Sequence, residues 1–116
     1  MDPITYDLKI YQGQTFELPI IWKDGDQVPV DLTGYTANMH IRATVKAPDV
    51  LIELSDTNRR IVLGDVPGEI KLFIPAEISS PILVQQGVYD LELTSPAGFV
   101  RRFMQGKVHF YPEVTR

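Results

Sequence analysis

The sequence contains no cysteine, which excludes a disulfide framework and thiolate metal centres and removes the redox clue to compartment. Histidine is nearly absent too, with only His40 and His109, so the materials for a Ser-His-Asp arrangement or a multi-histidine metal site are scarce. No apolar run approaches the ~20 residues of a membrane-spanning helix. The first residues, Met1-Asp2-Pro3-Ile4-Thr5-Tyr6-Asp7, lack the basic and apolar regions of a signal peptide, so synthesis in a cytoplasm without export by that route is the expectation. Basic residues are in deficit: 11 Lys and Arg against 15 Asp and Glu leave a net charge of −4. Phosphate backbones are bound by clustered cations, so nucleic acid is not an expected partner.

What is present is a chain of 116 residues with 44% hydrophobic and 22% charged residues. These values are those of a globular protein, and the length suits one domain with one core. No repeat, low-complexity tract or linker divides it, so residues 1–116 are expected to form a single domain.

Alternation with period two runs through most of the chain, and helical periodicity is nearly missing. In Phe16-Glu17-Leu18-Pro19-Ile20-Ile21-Trp22-Lys23 the even positions are large and apolar, and Pro19, lacking an amide donor, marks an edge or a bulge. Asp24-Gly25-Asp26 follows as a turn in which Gly25 can take positive φ. Residues 35–42 alternate most clearly, with Tyr35, Ala37, Met39 and Ile41 inward and Thr36, Asn38, His40 and Arg42 outward. Further strands are predicted over 51–54, 61–63, 69–74, 88–94 and 99–111, the last interrupted near Gly106, with Leu91 on an inward face. Ser95-Pro96-Ala97-Gly98 joins two of them. Only Pro75 to Ser80 suits a helical turn, ended by Pro81. Seven to eight short strands with Gly, Pro and Asp between them predict an all-β fold, an immunoglobulin-like antiparallel β-sandwich.

The residues that carry chemistry elsewhere have structural roles here. His40 and His109 fall on outward strand positions, and spacing implies no third ligand beside them. Asp24, Asp26, Asp31, Asp56 and Asp65 lie in predicted turns, where Asp bonds nearby backbone amides. Gly64-Asp65-Val66-Pro67-Gly68 lacks the lysine and the following helix of a phosphate-binding loop. The pairs Arg59-Arg60 and Arg101-Arg102 read as solvated surface. Trp22, Tyr35 and Tyr89 lie on apolar faces and are expected in the core rather than on a sugar-binding platform. The chain is therefore expected to be no enzyme and to use no cofactor and no metal; a carbohydrate-binding β-sandwich module is kept as an alternative.

The order of segments adds to this. Gly13-Gln14-Thr15-Phe16, Ile21-Trp22-Lys23-Asp24-Gly25, Val30-Asp31-Leu32-Thr33-Gly34-Tyr35-Thr36-Ala37 and Met39-His40-Ile41-Arg42 follow one another in the first half. Gly68-Glu69-Ile70, Gly87-Val88-Tyr89-Asp90-Leu91-Glu92-Leu93-Thr94 and Gly106-Lys107-Val108-His109-Phe110-Tyr111 follow in the second. Over residues 13–116 the chain resembles a family of bacteriophage virion proteins, the amino-terminal domain of siphophage baseplate upper proteins. The resemblance implies an immunoglobulin-like sandwich attached to a tail, baseplate or fibre, with no catalytic residues. It also implies other virion proteins as partners, repeated copies or a homo-oligomer in the particle, and a virion location after assembly in the host cytoplasm. Members of that family often continue into a longer receptor-binding protein, so a chain of this length is expected to be a small adaptor or, alternatively, a capsid decoration protein.

One segment is singled out for contacts. Residues 4–11 alternate as a strand, and Gln12-Gly13-Gln14 follows as a hinge. The strand either belongs to the chain's own sandwich or leaves as a docking arm on a neighbour's sheet edge, with Ile4, Tyr6, Leu8, Ile10 and Tyr11 as interface residues.

Overall fold

The computed structural model describes residues 2–115. Among them nine strands and one helical turn follow in order: β1 (Ile4–Thr5), β2 (Leu8–Tyr11), β3 (Phe16–Ile21), β4 (Thr36–Arg42), β5 (Ile52–Ser55), β6 (Ile61–Leu63), β7 (Glu69–Ile74), α1 (Ala76–Ser79), β8 (Gln86–Thr94) and β9 (Val100–Tyr111). The larger sheet has the order β1-β9-β8-β4-β5, with β2 also paired to β9, and the smaller one the order β3-β7-β6. Two sheets facing each other across a shared core make an immunoglobulin-like β-sandwich. Its strand pairs are antiparallel except for β1 and β2, which run parallel to β9. Counting these two as halves of one predicted strand gives the eight strands that alternation implies.

The core forms because alternate residues of both sheets point inward. Met39, Ile41, Leu91, Leu93, Val108 and Phe110 come from the large sheet, and Ile61, Ile70, Leu72 and Ile74 from the small one; all are buried. Strand β3 is an edge strand, bonded only to β7, and Pro19 sits there opposite Lys71, where a missing amide costs least. The single helical turn forms where Pro75 ends the β7 stretch, and Pro75 supplies its cap position with extended backbone.

Three local expectations are corrected. Strand β9 runs through Gly106 without a break; its irregularity lies earlier, where Leu91 pairs with Met104 and Glu92 with Arg102, leaving Phe103 as the extra residue of a bulge. The bulge lets two successive residues, Phe103 and Met104, both turn inward. In the turn after Asp24 the left-handed residue is Gln27 (φ 62°), not Gly25. Asp24 makes this possible: its Oδ1 accepts from the amides of Asp26 (2.8 Å) and Val28 (3.0 Å) and holds the loop closed. The Asp56 carbonyl closes its own turn by accepting from the Arg59 amide, but its side chain accepts from the distant Ala37 amide at 2.9 Å, extending the β4–β5 pairing.

Candidate functional site

The segment singled out for contacts is divided by the fold. Leu8 and Ile10 are 1% and 0% exposed and belong to the core, so they are corrected out of the interface set. The physical reason is the pairing of β2 with β9, in register Leu8 to Val108 and Ile10 to Phe110, which places two apolar pairs on the inner face of the large sheet. Ile4, Tyr6 and Tyr11 remain about half exposed at the sheet edge. The segment is thus a strand of its own sandwich, the first of the two readings drawn from alternation.

Its attachment is specific. Tyr6 donates its amide to the Gln105 carbonyl at 2.9 Å. In a regular parallel ladder the Lys107 amide would next bond the Tyr6 carbonyl. Instead Lys107 donates to Asp7 Oδ1 (3.0 Å), and the Tyr6 carbonyl turns to accept from the Tyr89 hydroxyl at 2.5 Å. This crossing lies directly on Gly106, where a Cβ would run into the Tyr6 carbonyl oxygen. Tyr89 is thereby held protonated: burial, then the Asp7 charge, then Tyr6 push its hydroxyl above the ordinary tyrosine range.

Gln12-Gly13-Gln14, expected as a hinge, is anchored. The Gln12 side chain is buried, and its Nε2 donates to the carbonyl of Ser79 (2.9 Å), which ends the short helical turn, and to that of Ile82 (2.6 Å) in the segment after it. Gly13 takes φ +79° at the corner, and its amide donates to Ser79 Oγ.

The surface aromatic feature of this end is a pair. Tyr11 and Tyr111 lie side by side in the β2–β9 register and stack at 4.8 Å between ring centroids, 18° from parallel, with both rings substantially exposed. Tyr111 was absent from the sequence-derived set because nothing in the spacing of residues 11 and 111 announces that they are neighbours. At the opposite end of the same sheet the β8–β9 hairpin exposes Phe99 and Val100. Its turn is held by Ser95, whose Oγ accepts the Phe99 amide, and by Gly98 at φ +86°.

The remaining candidates are placed as follows. Trp22 packs against the core, its ring 5.3 Å from Phe103 and edge-on to Tyr35 at 6.2 Å, with the Arg101 guanidinium 5.2 Å from the ring centroid. These three neighbours give Trp22 a packing role at the rim of the core. His40 and His109 both point outward from the large sheet but do not meet: His40 is opposite Asp90, whereas His109 is opposite Gln86, farther along β8 toward its start. Among the described residues no group of three or more His, Cys, Asp or Glu is placed to hold a metal ion. Asp31 accepts from the Thr33 hydroxyl (2.7 Å) and amide (3.0 Å), and these bonds hold its carboxyl below the usual range. Arg60 donates to the Glu53 carbonyl, and Arg59 carries positive φ at the turn after β5.

No protein-family model and no curated protein matches the chain. Among solved structures it is similar to the extracellular domain of the voltage-gated sodium channel β4 subunit, at 10% identity over 98% of this chain and 97% of that one, with a TM-score of 0.48. It is similar to Tim-1 at 16% identity, over 100% and 99% of the two chains, with a TM-score of 0.48. The SrpA adhesin of Streptococcus sanguinis is a third, at 14% identity and a TM-score of 0.47, with 91% of this chain spanning 55% of that one. These likenesses concern the path of the chain and transfer no activity.

Proposed function

We propose that this chain is a non-enzymatic phage virion component, a tail or baseplate adaptor that works through protein–protein contacts. The observation that carries the contact reading is the distribution of its aromatic residues. Phe103 and Tyr89 are buried in a rigid sandwich and Trp22 and Tyr35 pack partly buried against its core, whereas Tyr11 with Tyr111 at one end and Phe99 with Val100 at the other are held on its surface by strand register and a tight turn. Aromatic side chains presented by a rigid scaffold lose little freedom on binding and are the residues on which protein contacts concentrate.

The virion part rests on the sequence resemblance over residues 13–116. Two of the strings that carry it meet in the fold: Gly34 of Asp31-Leu32-Thr33-Gly34-Tyr35, at φ +78°, lies against Pro96 of the hairpin that follows Tyr89 to Thr94. A Cβ on Gly34 would stand 2.8 Å from the Pro96 ring, which gives the two strings a shared reason to occur together.

Mass spectrometry of purified particles, with the chain supplied tagged during infection, tests the location. The expected result is recovery of the chain with tail or baseplate proteins after gradient purification; its absence from particles that are otherwise complete overturns the virion reading. Substituting Tyr11→Ser together with Tyr111→Ser tests the contact end, with loss of incorporation by a chain that still folds, its melting temperature lowered only modestly by the lost stack, as the expected outcome.

A further inference from the structure

The outer face of the large sheet has a pattern of charge that belongs to whole strands. On β9 the charged outward side chains, Arg102 and Lys107, are basic; on the neighbouring β8 they are acidic, Asp90 and Glu92. Strand β4 is basic again through Arg42, with His40 beside it, and edge strand β5 contributes Glu53. Along β9-β8-β4-β5 the sign therefore alternates, plus, minus, plus, minus.

Within one chain the neighbouring columns meet loosely. Arg102 Nε lies 3.6 Å from Asp90 Oδ2, and His40 Nε2 lies 3.5 Å from Glu53 Oε2, with side chains a third to a half exposed. Such pairs contribute little in water. Between the columns the face is hollowed by about 430 Å³ over Val88, with Val45 standing almost fully exposed at its rim on the β4–β5 loop.

An alternating pattern of four columns is antisymmetric about its midline. A two-fold axis laid parallel to the strands, between β8 and β4, exchanges β8 with β4 and β9 with β5. Plus, minus, plus, minus then meets minus, plus, minus, plus, and every column faces one of opposite sign. Asp90 comes opposite the partner's His40, and the partner's Glu53 comes between Arg102 and Lys107. The same axis carries Val45 over the His109 to Tyr111 end of the facing sheet. The four strands β9, β8, β4 and β5, spaced ~4.8 Å apart with ~3.3 Å per residue, give a footprint on the order of 500 Å² from each partner, about 1,000 Å² in all, the size at which a specific interface begins.

From this geometry we infer that the outer face of β9-β8-β4-β5 docks on the same face of a second copy of this chain, forming an isologous dimer. The inference rests on the contact-module reading and names its partner. It does not depend on the virion.

The test is sedimentation velocity of the full chain with a charge swap between β5 and β9. The wild-type chain is expected to sediment as a dimer. Glu53→Arg alone and Arg102→Glu alone each set like charges opposite one another across the axis and weaken association by about tenfold or more. The double variant restores opposite charges across the axis and is expected to recover most of the lost association. Within one chain β5 and β9 are separated by two strands. The double variant sets its new carboxylate beside Asp90 and its new guanidinium beside His40, so recovery cannot come from intramolecular pairing. Thermal melts are expected to show that all four proteins fold, since both side chains are about half exposed. A monomeric wild type, single variants that associate like the parent, or a double variant no better than the singles each overturns the inference. A monomer that is still recovered from particles overturns the dimer alone, whereas a dimer absent from particles overturns the virion reading alone.

Discussion

Leu91 is fully buried in the middle of β8, with Met39 on one side and Met104 on the other. Leu91→Asp places a carboxylate there with no partner, and the cost of several kcal/mol is a large part of the stability of a domain this size. Such a protein is expected to be largely unfolded by circular dichroism at room temperature; a melt within a few degrees of the parent would mean that β8 lies in another register. Tyr89 makes a subtler case. Its hydroxyl proton is kept in the folded state and lost in the unfolded state near pH 10, so its contribution is complete below that pH and falls away as pH rises toward the higher folded value. Tyr89→Phe is expected to lower stability by about 1 kcal/mol at neutral pH through the lost bond to the Tyr6 carbonyl. It should also flatten the loss of stability in melts taken from about pH 9 to about pH 11. An equally steep alkaline loss in the variant would assign that loss to other groups.

At the scale of elements, the question is whether β1 and β2 belong to the sandwich in solution. Ile10 is buried and Tyr11, its neighbour, is half exposed. Ile10→Ala should therefore cost about 3 kcal/mol by chemical denaturation, and Tyr11→Ala less than about 1 kcal/mol. Equal and small effects at both positions would return the segment to the status of a free arm. The crossing over Gly106 gives a second handle. Gly106→Ala drives a Cβ into the Tyr6 carbonyl and is expected to cost about 2 kcal/mol while loosening the whole amino-terminal strand, seen as faster hydrogen exchange at the Lys107 amide.

For the molecule as a whole, the two sheets share one cluster of buried side chains, and the only tryptophan reports on it. Trp22 follows the small sheet's β3 and packs on Phe103 of the large sheet. If the sandwich is one cooperative unit, the Trp22 fluorescence transition and the far-ultraviolet circular dichroism transition in urea coincide. Separate midpoints would divide the chain into two independently folding parts and refute the single-domain expectation.

The period of the side chains belongs to the sequence, and what depended on period alone was readable there. The inward sets Ala37-Met39-Ile41 and Tyr89-Leu91-Leu93, the edge position of Pro19, the bounds of β6 and β7, and the outward histidines all follow from alternation and turn chemistry, because burying one face of a strand needs no knowledge of its neighbour. What required the tertiary structure was every property of a pair. The parallel docking of residues 4–11 on β9 turned Leu8 and Ile10 from contact candidates into core, and it created the Tyr11–Tyr111 stack from residues far apart in the chain. The bulge at Phe103 broke the alternation because the Leu91–Met104 and Glu92–Arg102 pairings leave one residue over. Gln12, polar and set between glycine and strand, became an anchor only when α1 and the segment after it brought the Ser79 and Ile82 carbonyls within reach. The alternating charge columns likewise exist only in the order β9-β8-β4-β5, an order that the free energy of packing two sheets together decides and that no local period encodes.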